Sequence, residues 1–209
     1  MQNIGGAKIL NAQEMAQLTA YTSGKEVIRQ PIWCTLTMPI AGVTSIPFFS
    51  TPQGGSQTVG VTSISMTPAR TNMKRANAIE SPNEFILKAI RLEVIPTVDF
   101  TYAISNDKHL ILKDGYMKIV IGSKEYLTIP LSLISSGSGL SGFVGVLAAG
   151  TERMYVTNNH PYLYKVEPWI VLPSDLNFSV TLNWDTAPNT SAVSEIKVVL
   201  DGDSVRPVQ

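Results

Sequence analysis

The chain has few of the side chains that carry catalysis, metal binding or disulfides. Its 209 residues include a single cysteine, Cys34, and two histidines, His109 and His160. One cysteine cannot form an internal disulfide, and neither histidine has a metal-ligating neighbour at short spacing. Cys34 follows Trp33 in an apolar segment, with no predicted histidine or helix terminus to lower its pKa. We therefore expect a buried, unreactive thiol and no metal site.

Long apolar runs are also missing. The segment Met1–Met15 has no apolar core of the kind found in signal peptides. The longest non-polar run, near Phe143–Ala149, is far too short to span a bilayer. We therefore expect a protein that is made and folded in a reducing cytosol.

No cofactor-binding or catalytic motif is accompanied by the secondary structure or partner residues that its function requires. Gly137, Gly139 and Gly142 have the spacing of a dinucleotide-binding loop, but that motif requires a preceding strand and a capped helix after it. The sequence contains no G-x-S-x-G elbow and no carboxylate pair in a glycosidase context. Asp201-Gly202-Asp203 could hold a calcium ion loosely, but we interpret it first as a turn. We predict a protein that is not an enzyme and that has no cofactor, metal or small-molecule substrate.

Charged residues are scarce. They make up 15% of the chain, with 16 basic and 16 acidic residues, whereas about a quarter is usual. Charge is depleted at the cores of protein interfaces, so a neutral surface suits contact with other proteins. Ser- and Thr-rich outer faces of ordinary β proteins explain the composition equally well. Between Val27 and Ile79 there is no acid, and the charged residues are Arg29, Arg70, Lys74 and Arg75.

What the chain does have is a series of short segments in which apolar and polar residues alternate between tight turns. This pattern predicts an all-β protein with an antiparallel sandwich. Lys113-Asp114-Gly115 and Gly122-Ser123 predict two successive hairpin turns, and therefore three adjacent strands. Ser135–Gly142 is predicted to be a flexible loop. The predicted strands after residue 83 are Glu84–Ile95, Leu110–Leu112, Tyr116–Ile121, Glu125–Leu133, Tyr162–Leu172, Asn177–Trp184 and Glu195–Leu200.

The region before residue 84 has a less regular pattern of predicted strands. Ile32–Met38 predicts a strand, and Thr44–Ser50 predicts a short edge strand whose pairing Pro47 limits. Thr58–Met66 alternates again. Thr67–Asn83 is polar and predicts a long connection, which is typical of Greek-key topology.

The N-terminal residues predict one short amphipathic helix, Asn11–Tyr21, to which we expect helical structure to be mainly confined. Asn11 and Glu14 have the spacing of a capping box. Met15 and Leu18 lie on its apolar side. Because so short a helix is marginal in water, we expect these two residues to dock on the chain's own sandwich or on a neighbouring subunit. We divide the chain into an arm, residues 1–30, and a single domain, residues 31–209.

Aromatic residues concentrate around a predicted loop that contains His160. Tyr155, Tyr162 and Tyr164 could contact a glycan or a receptor, or they could form ordinary cross-strand packing, and we prefer packing. His160 is interpreted as a loop residue. His109, at the start of a predicted strand, is interpreted as a surface residue.

Three groups of segments share their texture and order with a known family. They are Thr71-Asn72-Met73 with Pro82–Phe85 and Ile90–Val94; Gly115–Leu131 continuing to Gly142-Phe143; and Asn177–Trp184 with Leu200-Asp201-Gly202. Together they resemble the small single jelly-roll capsid proteins of tailless icosahedral bacteriophages. The similarity covers roughly residues 70–209.

The resemblance implies an eight-stranded jelly roll with a short N-terminal arm. It implies a structural protein of the virion, synthesised in the host cytoplasm, that assembles with copies of itself into capsomers of an icosahedral shell and contacts other virion proteins. We prefer the major capsid protein over the vertex, or penton, protein. Met15 and Leu18 are then candidates for an assembly arm. Candidates for weak contact with a genome or an internal membrane at the inner surface are Arg29, Arg70, Lys74 and Arg75.

Two other classes remain open. One is a carbohydrate- or receptor-binding β-sandwich module, which would form small oligomers and expose an aromatic site. The other is an enzyme on a β scaffold.

Overall fold

The structure, a computed structural model, describes residues 24–97, 102–134, 140–147, 151–158 and 163–208. Several predictions concern other residues. The helix predicted over Asn11–Tyr21, with Met15 and Leu18, lies outside the described residues, and so do His160 and Tyr162.

Thirteen strands and two helices follow one another in the described residues. The helices are α1 (Tyr102–Lys113), between β6 and β7, and α2 (Leu131–Ile134), after β8. The strands are β1 (Lys25–Arg29), β2 (Ile32–Met38), β3 (Ser45–Phe48), β4 (Ser56–Val59), β5 (Thr62–Ser65), β6 (Glu84–Pro96), β7 (Gly115–Ile121), β8 (Lys124–Pro130), β9 (Leu140–Leu147), β10 (Thr151–Asn158), β11 (Tyr164–Leu172), β12 (Phe178–Trp184) and β13 (Ser194–Pro207).

Most strands belong to two antiparallel sheets. The first sheet has the order β1-β13-β6-β11, and β2 also pairs with β13. The second sheet has the order β3-β12-β7-β8. The strands β4 and β5 form one separate hairpin, and β9 and β10 form another.

The chain alternates between the two large sheets. From β2 in the first sheet it passes to β3 in the second, then to β6 in the first and to the β7–β8 hairpin in the second. It returns to the first sheet with β11, crosses to β12 and ends in β13. Most connections between these strands therefore bridge the two sheets.

The inner faces of both sheets meet in an apolar core. In β12 every second residue is buried, from Phe178 to Trp184, as expected for a strand with one face against the core. Leu36 and Leu92 of the first sheet and Phe48 of the second belong to the same apolar cluster. The predicted antiparallel β sandwich is therefore confirmed.

The predicted strands match the structure closely in most places. The strands β2, β6, β11 and β12 lie within a few residues of the predicted segments. Within the described residues β3, which contains Pro47, pairs only with β12 and is an edge strand, as predicted. Gly122, with a φ of 59°, forms the predicted turn between β7 and β8. The predicted number of eight strands is too low, because two hairpins and β1 are present as well.

The prediction of a strand over Leu110–Leu112 is wrong, because these residues belong to α1. A short apolar run does not distinguish a helix from a strand by its periodicity. Ile111 is fully buried, and its carbonyl accepts a hydrogen bond of 2.8 Å from the indole N–H of Trp184. The contact across 73 positions of sequence fixes the helix in place. His109 is exposed, as predicted, but on a helix and not at a strand start.

The confinement of helix to the N-terminal residues is also wrong. Besides α1, the segment Glu125–Leu133 contains the end of β8 at Pro130 and the start of α2. Leu131 and Ile134 are both buried, and residues three apart share one face of a helical turn. Of the predicted loop Ser135–Gly142, the last three residues lie in β9 and the others are not described.

The interpretation of Asp201-Gly202-Asp203 as a turn is wrong, because β13 continues through it to Pro207. The register between β13 and β6 shifts between Asp201 and Gly202, which marks a β-bulge. A Cβ atom at Gly202 would lie 2.0 Å from the carbonyl oxygen of Ile86. Glycine therefore allows the two backbones to approach each other here.

None of the helices in the described ranges is long and apolar enough to cross a membrane.

Candidate functional site

The first sheet turns one face to the core and the other outward, and we call the second the outer face. Its side chains come from the alternate positions of each strand. On β13 the inward residues Ile196, Val198 and Leu200 are buried in the core, whereas Glu195 and Lys197 are half-buried on the outer face. The outer face is thus the polar side of this sheet.

Two of the acidic side chains on the outer face, Asp201 and Asp203, form ion pairs with cations of β6. The guanidinium of Arg91 donates two hydrogen bonds to Asp201, from Nε to Oδ2 at 2.5 Å and from Nη2 to Oδ1 at 2.9 Å. Such a two-point contact is among the stronger ion pairs in proteins. Two residues further along β13, Asp203 pairs with the ammonium of Lys88 through a single contact. Asp201 and Asp203, whose carboxylates could have held a calcium ion loosely, are therefore paired with cationic side chains.

Trp169 of β11 lies beside this charge network. The ammonium of Lys88 sits 4.2 Å from the centre of the Trp169 ring, a cation–π contact. Trp169 also packs on Ile86 and Val205, which are each 1% exposed although they lie outside the main core. The Trp169 ring therefore contacts residues of its own chain.

Shallow grooves open beside the ion pairs. The groove lined by Trp169, Lys165, Glu167 and Asp203 has a volume of about 230 Å³. Small-molecule sites usually occupy about 300–1,000 Å³. The groove is smaller than a typical small-molecule site, and Asp203 in its lining is already paired with Lys88.

The predicted basic residues are placed in different ways. Arg70 pairs with Glu195, and Lys74 pairs with Glu80 at 3.0 Å. Arg29 and Arg75 are exposed and make no ion pair within the described part of the chain. Two of the four cations are thus already neutralised, and a role at an inner surface stays a prediction.

The predicted aromatic loop is described only in part. Tyr164 opens β11, is half-buried and packs against the core. Tyr155 lies in β10, where its backbone pairs with Phe143 of β9. Tyr162 is outside the described residues. The position of Tyr164 agrees with the packing interpretation.

Cys34 lies on the inner side of β2 and is fully buried. Burial raises the pKa of its thiol to about 11, because the thiolate would lose its water. The thiol is therefore protonated at neutral pH.

We expect Cys34 to be inert in the folded protein. A thiol-specific reagent at pH 8 should label less than about a tenth of the folded chains within an hour, because only the thiolate reacts. In denaturant, labelling should be complete within minutes. Rapid labelling of the folded protein would show that β2 opens readily and would contradict its place in a stable core.

A surface that sequence reasoning missed lies on one side of the sandwich. Residues 30–69 contain no Asp, Glu, Lys, Arg or His. They form β2, β3 and the β4–β5 hairpin, and we call this surface the first flank. Val61, at the tip of the hairpin, is 98% exposed, and Ile40 is 48% exposed. Other exposed residues of the first flank include Thr44, Ser45, Pro47, Ser56, Thr58, Ser63 and Ser65.

Hydrogen bonds hold the first flank in one shape. The side-chain amide of Gln57 donates to the carbonyl of Pro47 at 2.6 Å, which ties the hairpin to β3. The open edge of β2 is covered, because the backbone N–H of Thr35 donates to the carbonyl of Arg70 at 2.7 Å. Covered and proline-containing edges avoid uncontrolled strand pairing. The first flank is therefore a defined surface for side-chain contacts.

One further anchor reaches the first flank from α1. The buried carboxylate of Asp107 accepts hydrogen bonds from the backbone N–H groups of Ser191, at 2.8 Å, and Ala192, at 3.1 Å. The neighbouring Thr190 donates its N–H to the carbonyl of Ile40 at 2.9 Å. Asp107 thus positions the loop that supports one end of the first flank.

Within the described ranges, no group of three or more His, Cys, Asp or Glu residues could hold a metal ion. No protein-family model matches the chain, and no curated protein is significantly similar to it. A function must therefore be argued from the chain's own residues and their placement.

Proposed function

We propose that the chain is a structural subunit of an icosahedral virion shell, built on an eight-stranded jelly roll. The strand order supports the jelly roll, and the uncharged surface supports the role in assembly. In a jelly roll two four-stranded sheets face each other, and the chain crosses between them through Greek-key connections. The set β2, β13, β6 and β11 and the set β3, β12, β7 and β8 agree with this arrangement.

The remaining strands fit as additions to such a roll. The strand β1 precedes β2 and runs along the same side of β13. The hairpins β4–β5 and β9–β10 lie within the connections from β3 to β6 and from β8 to β11. Insertions of this kind extend a surface without changing the order of the sheets.

Surface chemistry supports a role in assembly. A fold alone does not determine a function, since jelly rolls also occur in lectins and cupins. Here the first flank is uncharged, and interface cores are depleted of charge. The resemblance of residues 70–209 to phage capsid proteins points in the same direction. We propose the role of the major shell protein rather than of the vertex protein.

A carbohydrate- or receptor-binding module is the second candidate. The observation in its favour is Trp169 beside a groove with polar side chains. However, the ammonium of Lys88 already contacts the face of the Trp169 ring on which a sugar would stack. We therefore rank this function below assembly.

The full-length chain is expected to form capsomers or closed particles when it is purified alone. Light scattering after size-exclusion chromatography would measure their mass, and negative-stain electron microscopy their shape. Closed particles would support the major shell role, whereas pentamers alone would support the vertex role.

Deletion of residues 1–24 should leave the circular dichroism spectrum of a β protein and abolish particles, since it removes Met15 and Leu18. A full-length chain that stays monomeric over a wide range of protein and salt concentrations would contradict the shell function.

A further inference from the structure

A second charge-free segment lies at the opposite edge of the second sheet. Residues 126–151 contain no Asp, Glu, Lys, Arg or His. They include most of β8, all of α2 and β9. In the order β3-β12-β7-β8 the two outermost strands are β3, which belongs to the first flank, and β8. We call residues 126–134 the second flank.

The side chains of the second flank resemble those of the first in chemistry. Thr128, Pro130 and Ser132 are exposed, and 57% of the surface of Leu133 is exposed. On β7 and β8 the nearby charges Lys118 and Glu125 pair with each other at 2.5 Å, and Lys124 is exposed at the turn end of β8. The second flank therefore offers hydroxyl and apolar groups with no unpaired charge among its own residues.

The absence of charge restricts what can cover either flank. A charged side chain laid against such a surface loses its water without gaining an opposite charge, which is strongly unfavourable. A suitable partner surface is itself uncharged. Each copy of this chain carries two such surfaces, and they point away from each other across a sheet of four strands.

We propose that the first flank of one copy packs against the second flank of the next copy. This inference rests on the proposed shell function and names the contact through which subunits join. A contact between two different surfaces is head-to-tail, and it closes into a ring where the rotation between successive copies divides a full turn. Contact through side chains is favoured over strand pairing, because Pro47 on β3 has no N–H to donate.

Single charges placed on either flank test the contact. Val61→Glu adds a carboxylate to the tip of the first flank, and Ser132→Glu adds one to the second flank. Each is expected to raise the protein concentration needed for half-assembly by about 100-fold or more, because a carboxylate would be buried without a partner. Val208→Glu is the matched control, since Val208 is 66% exposed and lies on neither flank. It should assemble like the unmodified chain.

A mixture of the two variants distinguishes a head-to-tail contact from a symmetric one. Val61→Glu retains an intact second flank, and Ser132→Glu retains an intact first flank. Neither variant can assemble alone, but together they can form one intact contact. Native mass spectrometry of differently tagged variants should therefore detect a one-to-one pair that does not grow further. A symmetric contact through the first flank would instead leave Ser132→Glu fully able to assemble.

Each outcome decides between the proposals. Assembly of both variants at the normal concentration, or a mixture without pairs, overturns the flank contact while the shell function stands. Rings of the unmodified chain with neither five nor six subunits, without particles, support the flank contact and contradict the shell function, because icosahedral capsomers are pentamers or hexamers. A chain that remains monomeric, or whose flanks bind only another protein or a glycan, contradicts both. Circular dichroism and thermal unfolding of each variant establish that a loss of assembly is not a loss of folding.

Discussion

Replacing Gly202 with alanine is expected to lower the free energy of unfolding by about 3 kcal/mol or more. The added Cβ would lie 2.0 Å from the carbonyl oxygen of Ile86 and 2.7 Å from the ring of Phe85. Neither neighbour can move away easily, since Ile86 contributes a backbone atom of β6 and Phe85 is 1% exposed in the core. The bulge would have to open, and β13 and β6 would separate where they pair.

Urea unfolding of the unassembled chain, followed by tryptophan fluorescence, would measure this loss. Gly54→Ala is the matched control, because Gly54 has a φ of +86° and no atom within 4 Å of the added Cβ. It should lose only about 1 kcal/mol, the usual effect of a positive φ on a residue with a side chain. Equal losses in the two variants would show that the approach at the bulge is not a steric constraint.

Asp107→Ala is expected to lower the free energy of unfolding by about 3 kcal/mol. Asp107 is 2% exposed, and its carboxylate also accepts a hydrogen bond of 2.6 Å from the hydroxyl of Ser191. Removing it leaves the backbone N–H groups of Ser191 and Ala192 without their acceptor. Because the same loop supports Ile40, assembly through the first flank should weaken as well.

Asp114→Ala provides the comparison for this second variant. The side chain of Asp114 is 66% exposed and lies 3.9 Å from Lys113, so its removal should change stability by less than about 0.5 kcal/mol. Asp107→Asn should fall between the two, because its amide oxygen can still accept a hydrogen bond. Urea unfolding and the half-assembly concentration are measured for all three variants. A full loss of stability with unchanged assembly would contradict the coupling of the loop to the first flank.

Strands whose signal is local could be predicted from the sequence. In β12 and β7 every second residue is apolar, and the structure buries those residues in the core. Gly122-Ser123 specifies its turn through glycine's tolerance of a positive φ, which is a property of the residue itself. Alternation and turn chemistry act over a few residues, so a reading of neighbours is sufficient.

Features that depend on distant residues could not be predicted in this way. Leu110–Leu112 is helical because Ile111 meets Trp184 and because Asp107 meets the loop at Ser191. Asp201-Gly202-Asp203 has the composition of a turn, but its carboxylates pair with Arg91 and Lys88 of the adjacent strand. In each case a contact across the fold overrides the local preference.

The candidate surface was half visible in the sequence. The absence of acids between Val27 and Ile79 suggested a role for the four basic residues in that stretch. The more informative property is that residues 30–69 contain neither acidic nor basic residues. The strand β3 of that stretch and the strand β8, which leads into the second flank, lie at opposite edges of the second sheet because the chain crosses between sheets. The strand order, which cannot be inferred from composition, determines where the two uncharged segments lie relative to each other.

The central position of β13 has a consequence for biosynthesis. This strand, which follows all the other described strands in the chain, lies between β6 on one side and β1 and β2 on the other. While the ribosome translates the preceding residues, the earlier strands of the first sheet wait for the partner that joins them. A nascent chain therefore cannot complete its sheet until Ser194–Pro207 has emerged from the exit tunnel. Because β2 of the first flank also pairs with β13, the proposed contact through the first flank should form only after Ser194–Pro207 has been synthesised.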